Sequence, residues 1–164
     1  MKVARTIAYV CLFLGAGAFQ AHAFDMTGTW AGKWSCRVQI NGTPTTIAND
    51  DSVMKVTQIG SIVHVDIDNG AYLYNGWAAA DNDNARRGAS TFVDCETSPH
   101  SRTSNEVISA RVKAPSGSSN GEFNGTSAYN STDEVETDLG GICQYTYTRT
   151  SSTDPGIEQC PPRG

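Results

Sequence analysis

The sequence predicts an all-β fold: a single antiparallel, up-and-down barrel of roughly eight strands, with a two-sheet sandwich as the alternative. Three observations predict it. Apolar residues alternate with polar ones, the period of a half-buried strand. Leucine nearly disappears after the first residues, with only Leu73 and Leu139 remaining, while Gly, Ser, Thr and Asn are abundant. Turn-forming clusters punctuate the alternating runs, and no helical stretch is long enough to join parallel strands.

Residues 1–23 read as a secretory signal peptide. Lys2 and Arg5 form the positive start, residues 7–18 the apolar middle, and Ala-His-Ala at 21–23 the small-x-small cleavage site. The apolar run falls short of the ~20 residues that span a bilayer, and no later stretch is apolar enough to do so. No cysteine follows the cleavage site, so no lipid anchor is expected. The expected location is periplasmic or secreted, of bacterial type. Cleavage leaves 141 of 164 residues (164 − 23), enough for one domain with one core. The expected division is signal peptide 1–23, barrel 24–150 and a disulfide-tethered tail 151–164.

The first strand, 27–40, puts Trp30, Gly32, Trp34, Cys36, Val38 and Ile40 on one face and Thr29, Ala31, Lys33, Ser35 and Arg37 on the other. Gly28 and Gly32 let it bend as a closing sheet requires. Strands at 52–59 and 61–68 follow. In the latter, Val63, Val65 and Ile67 face inward, and His64, Asp66 and Asp68 face solvent. Asn69-Gly70 fits a type I′ turn, which needs two positive φ angles. A strand at 71–80 leads to a loop at 81–88, then a strand at 88–95 and a second loop at 98–105. The strand at 106–113 alternates Ile108, Ala110 and Val112 with Ser109, Arg111 and Lys113. Residues 114–121 are loop-like, 121–129 a strand, and 130–141 loop-like again. The last strand, 142–150, aligns Cys143, Tyr145, Tyr147 and Arg149 on one face.

Cys11 leaves with the signal. Cys36, Cys95, Cys143 and Cys160 form an even set in an oxidising compartment, so two disulfides are expected. Three pairings are open; we favour Cys36–Cys95 and Cys143–Cys160, which would tie the Pro-rich tail to the last strand. The scattered spacing does not suit zinc.

Cleavage also removes Lys2 and Arg5, so 12 basic residues become 10 against 17 acidic ones and the formal charge moves from −5 to −7. Such a surface repels phosphate backbones, and nucleic acid and anionic membrane surfaces are poor partners on that total. Catalysis finds little support. Only His64 and His100 remain after the signal, no G-x-S-x-G elbow occurs, and the cysteines are expected to be oxidised. Three residues in one row on a straight strand, such as His64, Asp66 and Asp68, cannot converge on one ion. The Asp/Asn-rich stretches at 66–70 and 81–84 do not complete a calcium loop. No cofactor, metal or catalytic residue is expected.

Gly28-Thr29-Trp30 near the start of the exported chain, with Arg149 on the last strand, resembles the lipocalin and avidin signature of the calycin superfamily. Residues 121–129 are similar to an avidin-type strand opening. The resemblance implies that Trp30 plugs one end of the barrel and that Arg149 packs across its ring. It departs in two ways: avidin-type biotin sites take a tryptophan from late in the chain, where here Trp77 is the last, and the lipocalin C-terminal helix is missing. Biotin binding is not carried over.

Two function classes remain. One is a non-catalytic binding module holding a small apolar or amphipathic ligand, lined by Trp34, Phe92, Tyr145 and Tyr147. The other is an inhibitor of an exported hydrolase, binding its protein partner through the loops 81–87 and 96–105 and the tail 151–164.

Overall fold

The alternation along residues 27–40 becomes one 13-residue strand, β1 (Gly28–Ile40), with Trp30, Cys36 and Val38 buried and Ala31, Lys33, Ser35 and Arg37 exposed. Seven more follow: β2 (Thr43–Ile59), β3 (Ile62–Ile67), β4 (Tyr72–Asp81), β5 (Asn84–Asp94), β6 (Thr103–Lys113), β7 (Glu122–Thr132) and β8 (Asp138–Ser151). Each pairs antiparallel with the next, and β8 returns to β1, closing an up-and-down barrel that excludes the sandwich. This computed structural model describes residues 25–81, 84–95, 103–113, 120–132, 138–157 and 160, among which there is no helix. The expected signal peptide, most of the 96–105 loop and the end of the tail lie outside them.

Several strands run longer than composition suggested. β2 starts at Thr43 and pairs with β1 almost end to end. Its period breaks where Gly32 faces Ser52 but Trp34 faces Asn49, a bulge that leaves one extra residue on β2. Ser52 and Asn49 both point the same way as their β1 partners, so strict alternation does not reveal the strand. β5, β6 and β8 likewise begin in polar residues that read as loop. In β8, Gly141 is required by the seam, because a Cβ there would meet the Arg37 carbonyl oxygen at 2.3 Å.

The end of the barrel where β1 begins, the base, is packed. Trp30 is fully buried, and its register partner is Arg149, whose guanidinium carbon lies 5.9 Å from the indole centroid. The indole Nε1–H donates to the Met26 carbonyl at 3.0 Å. Arg149 also donates to the Asp25 carboxylate at 3.2 Å and to the Thr27 carbonyl. Above this plug, Phe123 packs edge-on to Trp30 and Tyr147 and stacks on Phe92 at 6.0 Å.

The favoured disulfide pairing is corrected. Cys36 bonds Cys143, and Cys95 bonds Cys160. Cys36 and Cys143 are direct partners across the β1–β8 seam and point inward together, a proximity set by barrel closure. The tail is tied to the fifth strand's end, not to β8. With the partners separated by 107 and 65 positions in the sequence, each bridge removes about 4–5 kcal/mol of unfolded-chain entropy in the loop-closure treatment.

His64 is also corrected. It points outward as predicted, yet it is buried, with Nδ1 2.6 Å from the Asn75 side-chain oxygen. Its outward neighbour Thr57 donates to Asp154 at 2.6 Å and accepts from the Ile157 N–H at 2.8 Å. The tail is thus held at β2 and, through Cys160, at Cys95.

Candidate functional site: the mouth of the barrel

Opposite the packed base, the inward rows of β1–β4 and β6–β8 end in a cup. It is a cavity of about 80 Å³ walled by Trp34, Tyr72, Tyr74, Tyr129, Tyr145, Ile67 and the Cys36–Cys143 bridge, with Glu106 at its floor. Trp34 and Tyr72 meet edge to face, centroids 6.0 Å apart. The two tyrosines of β4 arrive here because Tyr72, Tyr74 and Ala78 share parity, and Ala78 is buried.

Glu106 is buried on the inward row of β6, with Ile108, Ala110 and Val112. A buried carboxylate needs donors, and three hydroxyls supply them. Tyr74 donates to Oε2 at 2.7 Å, and Ser127 and Tyr145 both donate to Oε1. Burial, then the negative charge of Glu106, pushes the Tyr74 and Tyr145 hydroxyls well above the ordinary value of 10.0. They stay protonated and act as donors.

A second carboxylate stiffens the wall. Asp68 was expected on the solvent face with His64 and Asp66, and its neighbours Asn69 and Gly70 were expected to form a two-residue turn. Asn69 and Gly70 do take positive φ (56° and 89°), but Asp68 joins them at 59° and the loop between the paired Ile67 and Tyr72 is four residues long. The left-handed backbone at Asp68 breaks the alternation and swings its carboxylate back over the barrel end. It accepts from Trp34 Nε1 at 2.9 Å, Asn49 Nδ2 at 2.9 Å, Ser52 Oγ at 2.7 Å and the Val53 N–H at 3.1 Å. Ser52 spends its single proton on Asp68, so at the 2.7 Å contact with Tyr147 the phenol is the donor. Burial raises the Asp68 carboxyl, but these hydrogen bonds outweigh it and hold the group below its ordinary 3.8.

Of the residues expected to line a ligand site, Trp34 and Tyr145 are in the cup. Phe92 and Tyr147 lie beneath it in the packed core. The sequence reading did not single out Glu106, Tyr72, Tyr74 or Tyr129. The signal for Glu106 was its parity with Ile108: a carboxylate two positions before an inward-facing apolar row. Gly28, Trp30 and Arg149 stand at the base. Among the described residues no three His, Cys, Asp or Glu side chains are grouped to hold a metal ion, and no helix is long and apolar enough to cross a membrane. No family model, curated protein or solved structure matches the chain.

Proposed function

We propose that this protein is an exported, non-catalytic binding protein of calycin type that takes a small amphipathic ligand, or one end of a larger one, into the mouth of its barrel. The observation that carries the reading is the contrast inside one barrel: an aromatic cup over a buried carboxylate at one end, solid packing at the other. Pockets for drug-sized ligands occupy roughly 300–1,000 Å³, so a cup of about 80 Å³ takes a single ring or a short chain. Four tyrosines and an indole offer apolar faces with hydroxyl tips, suited to a ligand that is apolar with one polar group. The cup has a carboxylate and no basic side chain among its lining residues, which favours a neutral or cationic ligand over an acid. The Trp30–Arg149 stack supports the calycin kinship, and the two disulfides fit an oxidising compartment.

The small volume favours a second reading, an inhibitor of an exported hydrolase, in which the cup receives one side chain of a protein partner. Native mass spectrometry of the protein purified from its own cell envelope separates the two. A co-purifying small mass, lost in Trp34→Ala, supports the first; a protein adduct supports the second; a bare chain counts against both.

A further inference from the structure

On the outward face of β2–β4, one row of large apolar side chains is bare. Ile59, Ile62 and Trp77 are consecutive register partners, all pointing out, and are 68%, 54% and 50% exposed. Ile59 and Ile62 flank the Gly60-Ser61 tip of the β2–β3 hairpin, so two branched apolar side chains project where the barrel ends. A contiguous exposed apolar row on an exported protein marks a contact surface.

Cations border this row. Arg87 pairs with Lys113, and Arg111 with Ala89, on the outward face of β5 and β6. Lys113 makes a 3.3 Å bridge to Glu122, an exposed pair of little energetic weight. Neither Arg87 nor Arg111 has a carboxylate partner among the described residues. Three cations against one carboxylate give a local balance of +2 on a chain whose formal total is −5. Between Trp77 and these cations, the small residues Ala79, Gly88 and Ala89 leave a groove of about 700 Å³.

We infer that this wall is a docking surface for an anionic lipid bilayer, onto which the protein lies without crossing it. Each part of the wall has a counterpart in the interface. Apolar side chains that project at the hairpin tip enter the acyl boundary. An indole prefers the headgroup level. Cations beside it meet lipid phosphates, and the groove has room for a headgroup. The total charge of the chain argued against this surface only because it averages over the whole molecule. An acidic protein would also match the cations; isoleucines projecting at a hairpin tip beside an indole favour insertion into a lipid layer. This inference is independent of the ligand cup.

Sedimentation of the exported chain with vesicles tests it. The protein should partition onto phosphatidylcholine vesicles containing phosphatidylglycerol, far less onto phosphatidylcholine alone, and should release as salt is raised. Removing one cation should weaken partitioning about fivefold, so Arg87→Ala with Arg111→Ala should lose about 25-fold, while Arg87→Lys with Arg111→Lys retains most of it. Tryptophan emission should shift to the blue on vesicles, and Trp77→Phe should abolish that shift. Absence of partitioning, equal partitioning onto neutral vesicles, or arginine-free variants that bind as wild type would overturn the inference. Binding to soluble polyglutamate in place of vesicles would reassign the wall to an acidic protein partner.

Discussion

The two ends of this barrel each present a tryptophan from the same strand face, four residues apart, and treat it differently. Trp30 is sealed: a backbone carbonyl takes its N–H, Arg149 covers its face and Phe123 its edge. Trp34 is only partly buried, and its N–H is held by a carboxylate from a turn. At the base, burial does the stabilising. At the mouth, hydrogen bonds to Asp68 and Glu106 hold aromatic groups in place without filling the space between them. A small barrel can therefore combine a solid core with a preformed, partly empty cup by changing what its inward rows carry along their length.

The largest expected effect comes from the sealed end. Trp30→Ala should cost about 3–5 kcal/mol in denaturant unfolding, the range for emptying a large aromatic site. Trp34→Ala, at a partly buried position, should cost about 1–2 kcal/mol. Equal losses would break the contrast. Next, Glu106→Ala should cost about 2–3 kcal/mol, because it strips the acceptor from three buried hydroxyls. Glu106→Gln keeps an acceptor and should cost less, and the same unfolding series reads both.

In base, Tyr74, Tyr145 and Tyr147 should remain un-ionised in the folded protein well past pH 10.0. Their folded values are raised, so the stability they contribute is present below the unfolded value of about 10 and is lost as pH climbs above it. Ultraviolet titration should show these phenols ionising only as the protein unfolds.

The smallest effect is at Asp68. Its folded value is lowered, so its contribution is present above 3.8 and fades as pH falls through the lower folded value. Asp68→Asn should flatten that part of the acid stability profile, measured by thermal unfolding between neutral pH and pH ~2.

Alternation put Trp30 and Arg149 on the inward faces of the first and last strands; that one packs over the other at the base was an implication of the calycin resemblance, not of local pattern. Strand number and order followed from alternation and turns. The mouth was less legible in the sequence. Glu106 takes its role from hydroxyls on β4, β7 and β8, which only the registers bring together. Asp68 turns inward through a left-handed backbone that its position at a strand end does not announce. The Cys36–Cys143 bond depends on which strands close the barrel, and the tail's hold on Thr57 joins residues about a hundred positions apart. Polar strand ends at residues 43–51, 84–87 and 138–141 read as loops because edges above a barrel's core need few apolar residues.

The two indole N–H groups report the two ends separately, and their NMR resonances test the contrast most directly. On titration with a small amphipathic probe such as 4-methylphenol, the Trp34 indole N–H should shift in a saturable way while the Trp30 indole N–H stays fixed. A shift at Trp30, or no shift at Trp34 at saturating probe, would contradict a barrel sealed at its base and receptive at its mouth.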